Sequence, residues 1–173
     1  MITVCMATHN GELFLREQIN SILFQLGGGD ELIIVDDYST DNTRNILSSY
    51  ADDPRVKIIL NSSVCGISQT FERSIRHAKG TYLFLADQDD VWHPQKKEIT
   101  LRYLANTDLV VSDCTIVDKQ LSQKHESFYE LNILCYLYLH EVIGLDLFLF
   151  LKESDIRADI KFPRLHHNLH GKV

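Results

Sequence analysis

The chain has 173 residues, of which 45% are hydrophobic and 24% are charged, and its formal net charge is -7 at pH 7. This length is sufficient for one domain with its own hydrophobic core, and the composition is ordinary for a globular protein. The acidic balance argues against a broad basic surface for nucleic acid. The four cysteines form no CxxC pair, so no zinc site is predicted.

The first hundred residues alternate between strand patterns and helix patterns. Apolar, β-rich runs predict buried strands at residues 2–7, 32–35, 56–60, 82–86 and 109–112. Apolar residues at helical spacing lie between the first four runs and again after the fourth. Strands that alternate with helices in this way predict right-handed crossovers and a mainly parallel sheet.

The helix boundaries are predicted from capping residues and from apolar stripes. Ser39 and Thr40 can cap the second helix, and Pro94 suits the first turn of the fourth helix. In that fourth helix, Ile99 and Leu104 are predicted to face the core.

The regular periodicity ends near residue 130. Residues 133–151 are mostly apolar, but charged residues interrupt the segment, so it is a poor candidate for a transmembrane helix. The first strand begins at the N-terminus without a preceding basic region, which argues against a signal peptide. We therefore expect a domain over residues 1–130 and an irregular or truncated segment over residues 131–173.

Polar and acidic residues follow three of the predicted strands. A polar turn follows the first strand, Asp36 and Asp37 follow the second, and Asp87, Asp89 and Asp90 follow the fourth. Parallel strands end at a common edge, which is where open α/β sheets bind ligands. Closely spaced carboxylates repel one another unless a cation lies between them, and a hard divalent cation suits oxygen ligands. The alternative is a solvated acidic turn.

The known phosphate-binding motifs narrow the choice of ligand. No GxGxxG follows a strand and no GxxxxGK[ST] occurs, which disfavours a dinucleotide site and a P-loop. A metal held by carboxylates can neutralise a diphosphate, so the pattern suits a nucleotide-diphosphate ligand. A phospho-acceptor signalling domain would carry its acidic pair after strand one, where this chain has Ala7, Thr8 and His9.

Three motifs carry a family resemblance: VCMATHNG at residues 4–11, IIVDDYSTDNT at residues 33–43 and ADQDDVW at residues 86–92. In this order and spacing they resemble family 2 glycosyltransferases, and more narrowly bacterial rhamnosyltransferase-like members from polysaccharide biosynthesis. The resemblance implies an α/β, Rossmann-like GT-A fold, with a mainly parallel sheet flanked by helices and an incomplete C-terminal acceptor region.

The same resemblance implies the activity and the surroundings of the protein. We expect inverting, metal-assisted transfer of a sugar from a nucleotide-diphosphate donor to a hydroxyl of a glycan or of a lipid-linked saccharide. Nucleic acid is not an expected partner. The expected location is the cytoplasm, and peripheral association with the inner face of the cell membrane is left open.

The resemblance also assigns site residues. It implies a DxD metal motif in which Asp89 binds Mn²⁺ or Mg²⁺, and a nucleotide site formed by Ala7, His9, Glu12, Asp37 and Asp87. Each assignment has a structural alternative. His9 could be a turn residue, and Glu12 could simply stabilise a helix start through the helix dipole.

Two departures from the family pattern concern catalysis. Many relatives carry an Arg-Asn pair in the third helix, where this chain has Phe71 and Glu72, which leaves Arg73 as a candidate for phosphate contact. The aspartate that acts as general base in inverting members has no counterpart with matching neighbours, so no catalytic residue is predicted. We hypothesise that the C-terminal third is truncated or frame-shifted. The alternative function is a catalytically incomplete remnant that binds a nucleotide-sugar.

Overall fold

The computed structural model describes residues 1–110, 112, 114–118, 120–125 and 150–152. The predicted division at residue 130, and residues 131–173 apart from 150–152, lie outside this part of the chain. The strands are β1 Ile2–Thr8, β2 Glu31–Asp36, β3 Val56–Leu60, β4 Tyr82–Ala86, β5 Leu109–Val110, β6 Ile116–Val117, β7 Gln123–His125 and β8 Phe150–Lys152. The helices are α1 Leu15–Leu23, α2 Thr43–Ser48, α3 Ile67–His77 and α4 Lys96–Leu104.

The main sheet has the strand order β3-β2-β1-β4-β8-β5. The strands β1 to β4 pair in parallel, which confirms the predicted parallel sheet, whereas β8 runs antiparallel to both β4 and β5. The short strands β6 and β7 form a separate antiparallel pair. Within the described part of the chain, none of the helices combines the length and the apolarity that crossing a bilayer requires.

The central strand β1 is buried along its whole length because side chains cover the sheet on both faces. Val4 and Met6 belong to the larger core cluster, which also contains residues of α1, α2 and α4. Cys5 and Ala7 alternate onto the opposite face, where they pack with Phe71 of α3. This two-sided burial explains why the strands read as continuous apolar runs.

Two predicted helix starts are wrong. The helix α2 begins at Thr43, beyond Ser39 and Thr40, with Asn42 as the preceding residue. The helix α4 begins at Lys96, so Pro94 lies before the helix rather than in its first turn. In α4 the inward face carries Thr100 and Leu104, and Ile99 is 40% exposed, contrary to prediction.

The buried Cys5 gives a prediction about thiol chemistry. Burial raises the pKa of the Cys5 thiol to about 12, so the thiolate is scarce at pH 8. Since the thiolate is the reactive form, Cys5 in the native chain should react with iodoacetamide at least about a hundredfold more slowly than the exposed Cys65. Peptide mass spectrometry after timed labelling measures both rates. Equal rates would contradict the described burial, and labelling in urea supplies the control in which both thiols react.

Candidate functional site

The loops after β1 and β2 are joined at the carboxyl edge of the sheet. Asn10 donates its backbone N–H to Ser39 Oγ at 2.9 Å, and its side-chain oxygen accepts from the backbone N–H of Thr40 at 2.9 Å. The backbone N–H of Gly11 donates to Thr43 Oγ1 at 2.8 Å. These contacts hold the polar turn after β1 beside the acidic pair after β2, as the parallel sheet predicts.

Asp37 lies where β2 ends, and its carboxylate accepts three hydrogen bonds from the protein. Oδ1 accepts from Asn61 Nδ2 and from the backbone N–H of Cys65, each at 2.8 Å, and Oδ2 accepts from the backbone N–H of Gly66 at 2.8 Å. Burial opposes ionisation, but these hydrogen bonds outweigh it and lower the pKa of Asp37 below its usual value. Asp37 is therefore an ionised acceptor at neutral pH, and it retains 5% of its surface exposed.

His9 presents an exposed imidazole ring directly beside Asp37. Its Nδ1 lies 2.7 Å from the backbone carbonyl oxygen of Asp37, and Asn10 Nδ2 lies 3.1 Å from its Nε2. Because a carbonyl oxygen only accepts, Nδ1 carries the proton, and Nε2 accepts from the Asn10 amide. These two contacts fix both the tautomer and the direction of the ring. Ala7 lies just before this turn and is 8% exposed.

Gln88 joins the loop after β4 to the turn after β1. Its Oε1 accepts from Thr8 Oγ1 at 2.7 Å and from the backbone N–H of His9 at 2.9 Å, and its Nε2 donates to the carbonyl of His9 at 3.2 Å. A Cβ at Gly11 would lie 2.4 Å from Gln88 Oε1, so a larger residue at this position would displace the Gln88 amide from these contacts. Gln88 thus brings the DxD segment against the nucleotide residues predicted from the sequence.

Asp36 braces the loop after β2. It is fully buried, and its Oδ2 accepts from the backbone N–H of Ser39 at 3.1 Å and from Arg44 Nε at 2.7 Å. The Arg44 guanidinium also lies 5.3 Å from the centre of the Tyr38 ring. This cation–π contact holds the side chain of Tyr38, whose backbone has a φ of 61°. The two adjacent aspartates therefore differ: Asp36 is fully buried and holds its own loop, whereas Asp37 bonds to residues that follow β3 and keeps 5% of its surface exposed.

The carboxylate and the backbone N–H of Glu12 both make hydrogen bonds within the protein. Its Oε2 accepts from the backbone N–H of Asn42 at 2.9 Å, and its own backbone N–H donates to Asp41 Oδ2 at 3.1 Å. Glu12 thus satisfies a backbone donor at the start of α2, which is close to the structural alternative predicted for it.

The acidic loop after β4 is held by the helix α1. The buried Gln18 donates its side-chain N–H to the carbonyl of Asp87 at 2.8 Å, and Ser21 Oγ accepts from the backbone N–H of Trp92 at 2.9 Å. Trp92 is 3% exposed and its ring centre lies 5.6 Å from that of Phe84, so it packs under the loop. With its base fixed in this way, the loop leaves Asp89 exposed to solvent.

A cavity of about 360 Å³ lies on the α1 side of this loop. Its lining combines four carboxylates with four apolar side chains: Glu17, Asp89, Asp90, Asp118, Phe14, Val91, Val117 and Leu121. Lys124 and the backbone N–H groups of Ser122 and Gln120 lower the pKa of Asp118. Asp118 is therefore suited to accept a hydrogen bond from a hydroxyl rather than to remove its proton.

The donor set suits a cation that is shared with a diphosphate. Among the described residues, no group of three His, Cys, Asp or Glu side chains gathers to hold a metal ion on its own. Mg²⁺, however, usually binds through one or two carboxylates plus the phosphates of its substrate, and keeps several waters. Asp87 and Asp89 supply hard carboxylate oxygens two positions apart in one loop, so they fit such a shared ion rather than a closed protein cage.

Three polar residues of this edge were not predicted as site residues: Gln18, Asn61 and Gln88. Asn61 directly follows β3. The rule that pointed to the aspartates, a polar residue at the carboxyl end of a parallel strand, would have found it. Gln88 lies between Asp87 and Asp89, and a neutral side chain there is not marked by the pattern of carboxylates. No sequence pattern indicates that Gln18 belongs to the site, since a polar residue inside a helix ordinarily faces solvent. Arg73, a candidate for phosphate contact, donates to Asn61 Oδ1.

Comparisons with known proteins identify glycosyltransferases as relatives of this chain. The chain is 27% identical over 140 residues to a teichuronic acid biosynthesis glycosyltransferase of Bacillus subtilis, which covers 75% of this chain and 56% of that protein. It is 37% identical over 97 residues to the dTDP-rhamnosyl transferase RfbG of Shigella flexneri, covering 53% of this chain and 34% of the relative. The chain thus spans about half the length, or less, of these curated relatives.

A solved structure confirms the fold. The mannosyltransferase PcManGT of Pyrobaculum calidifontis, in complex with GDP-Man and Mn²⁺, superposes with a TM-score of 0.59 at 22% identity. The superposition covers 68% of this chain and 35% of PcManGT, so the GT-A fold predicted from the sequence is present here. The family pattern described as Glycosyl transferase family 2 matches residues 3–160. The chain is therefore a member of glycosyl transferase family 2.

Proposed function

We propose that this chain binds a nucleotide-diphosphate sugar at the carboxyl edge of its sheet, for transfer of the sugar to a glycan hydroxyl. The observation that carries the proposal is the Asp37 carboxylate, held ionised by three protein donors beside the fixed ring of His9. Gln88 brings the acidic loop after β4 to the same place. An acceptor for base or ribose, a stacking ring and a diphosphate site are thereby adjacent.

The proposed nucleotide contacts follow from the chemistry of each side chain. Asp37 accepts a hydrogen bond from the base or ribose, and the exposed ring of His9 stacks on the base. Ala7 contributes a small apolar contact, and the Glu12 carboxylate, which accepts from Asn42 at Oε2, is proposed as a further acceptor for the nucleotide. Asp87 lies at the end of β4, where the nucleotide passes towards its diphosphate.

Asp89 is the proposed ligand of Mn²⁺ or Mg²⁺. When bound, the cation would neutralise the charge that develops on the diphosphate leaving group. Asp89 suits this position because it is exposed on a loop whose base is fixed by Gln18 and Ser21. The protein therefore holds the carboxylate in place without a closed cage, which leaves room for the donor's phosphates.

The cavity beside Asp89 is the proposed acceptor site. Its apolar side chains can pack on the C–H faces of a sugar ring, and carboxylates such as Glu17 and Asp118 can accept from hydroxyls. A glycan or a lipid-linked saccharide fits this mixed lining. The name of the Bacillus relative, a teichuronic acid biosynthesis glycosyltransferase, supports a glycan acceptor. A lipid-linked acceptor would place the reaction at the inner face of the cell membrane, in the cytoplasm.

Calorimetry of UDP, dTDP and GDP, each with and without Mn²⁺, tests the donor site. We expect at least one nucleotide to bind the folded chain in a Mn²⁺-dependent manner. Asp89→Ala should weaken that binding by about tenfold or more, because a charge-assisted contact contributes roughly 1.5–3 kcal/mol. The exposed position of Asp89 predicts that folding is unaffected.

Asp52→Ala is the matched control, since Asp52 is an exposed aspartate in the turn before β3. It should bind nucleotide as the unaltered chain does. The proposal would be wrong if the folded chain bound none of the nucleotides, or if both aspartate variants weakened binding equally. Binding without sugar transfer would identify the catalytically incomplete alternative.

A further inference from the structure

The hydrogen-bond capacity of Asp37 limits what a ligand can offer it. A carboxylate oxygen has two acceptor positions. Oδ1 already accepts from Asn61 and from the backbone N–H of Cys65, so both of its positions are used. Among the residues that the structure describes, Oδ2 accepts only from the backbone N–H of Gly66, which leaves one position open. Asp37 can therefore receive one further donor, and it receives that donor on Oδ2.

Asn61 cannot turn away to release Oδ1. Its amide oxygen accepts from Arg73, and its amide nitrogen donates to Asp37. A guanidinium only donates hydrogen bonds and an ionised carboxylate only accepts them. If the Asn61 amide were flipped, its NH₂ group would face the donors of Arg73 and its oxygen would face the oxygen of Asp37. Arg44 also donates to the backbone carbonyl of Asn61, at 3.3 Å. Asn61 is 4% exposed, so water cannot readily replace either partner.

The nucleobases differ in how many donors they direct at one acceptor. Uracil and thymine each present a single N–H between two carbonyl groups. Guanine presents two adjacent donors, the ring N–H and the exocyclic amine, which together require both oxygens of a carboxylate. Cytosine presents a lone pair at the position of the uracil N–H, and that lone pair repels a carboxylate. A donor left unpaired in a desolvated cleft costs about 1–3 kcal/mol.

We propose that this site selects uracil or thymine nucleotides over guanine nucleotides, because Asp37 has one open acceptor position. This inference rests on the proposed function and specifies its donor. Arg73 and Asn61 are then positioning residues, since they keep Oδ1 occupied. The family alone leaves the base open, because relatives are named or described with dTDP and with GDP-Man.

Titration calorimetry on the full chain, with UDP, dTDP and GDP in the presence of Mn²⁺, tests the selection. We expect UDP or dTDP to bind at least about tenfold more tightly than GDP. GDP binding as tight as that of both pyrimidine nucleotides would overturn the inference and leave the proposed function standing. Failure of every nucleotide to bind the folded chain would instead overturn the proposed function, so the two failures are distinguishable.

Asn61→Ala examines the cause of the selection. Removing the amide opens a second acceptor position on Asp37, so the ratio of the GDP and UDP dissociation constants should fall at least about threefold. Asn45→Ala is the control, because Asn45 is exposed on α2 and its side chain contacts Asn42 instead. An unchanged ratio in folded Asn61→Ala would overturn the role of Asn61. If that variant does not fold, the proposed selection is judged from the affinities of the unaltered chain for UDP, dTDP and GDP alone.

Discussion

Asp37→Asn should bind UDP or dTDP at least about a hundredfold more weakly than the unaltered chain, because it loses a charge-assisted hydrogen bond and leaves the base N–H unpaired. The substitution preserves the size of the side chain. It replaces one acceptor oxygen with an NH₂ group, which must face either the donors at Oδ1 or the N–H of Gly66. The effect is therefore electrostatic rather than steric.

The same substitution should also destabilise the fold. Buried donors that were paired with a carboxylate lose their partner, which costs about 3 kcal/mol. The folded-state pKa of Asp37 is lowered from its ordinary value of 3.8, so the stability from its ionised form is complete above about pH 4 and is lost as pH falls through the folded-state pKa. The stability difference between the two chains should be equal at pH 7 and pH 5 and smaller at pH 3.

Asp52→Asn makes the same chemical change at an exposed position and should alter neither binding nor stability. Urea unfolding at each pH, combined with calorimetry at pH 7, measures both effects. Asp37 would not be the base acceptor if Asp37→Asn lost stability but kept its affinity for nucleotide. A stability loss that grew as pH fell below 4 would contradict the described hydrogen bonding of the carboxylate.

The strands could be predicted from the sequence because their signals are local. Runs of β-branched and aliphatic residues that end abruptly in polar residues gave residues 56–60 without error and placed β1, β2 and β4 within about a residue at each end. A sheet covered on both faces requires such runs, and the alternating helices require parallel pairing. The acidic residues of the site could be predicted for the same reason, since they stand where these runs stop.

The start of α2 could not be predicted, because contacts distant in sequence decide it. Ser39 and Thr40 are suitable caps by composition, but the Ser39 hydroxyl accepts from the backbone N–H of Asn10, and Thr40 donates its backbone N–H to Asn10 Oδ1. That contact joins residues about 30 positions apart, so no local pattern contains it. In α4, the buried face is set by which residues meet the sheet, and Ile99 lies about 100° around the helix from Thr100.

The partners of the site aspartates show the same limit. Asp37 could be identified from its motif, but Asn61 lies 24 residues away and Gln88 reaches His9 across 79 residues. These amides decide how many acceptor positions remain and where the loop after β4 lies. The sequence therefore predicts which groups do the chemistry, whereas the ligand preference depends on neutral side chains that only the fold brings together.

Gly80→Ala should lower the free energy of unfolding by about 3 kcal/mol, which for a domain of this size corresponds to a fall in Tm of about 10 °C. A Cβ at this position would lie 2.4 Å from the backbone N of Thr3 and 2.6 Å from the carbonyl carbon of Ile2. Both atoms belong to β1, which cannot move aside because it pairs with β2 on one edge and β4 on the other. The new methyl group would also crowd Thr3 Oγ1, which accepts from the N–H of Gly80 at 2.8 Å.

Gly28→Ala is the control for this substitution, since a Cβ there meets no atom within 4 Å. It should change stability by no more than about 0.5 kcal/mol. Thermal and urea unfolding measure both variants, and a Gly80→Ala chain as stable as Gly28→Ala would contradict the close approach of Gly80 to β1. Thr8 lies five residues beyond Thr3, about 16 Å along the strand. Folded Gly80→Ala should therefore bind nucleotide with unchanged affinity, because its strain lies at the edge of the sheet opposite to Asp37.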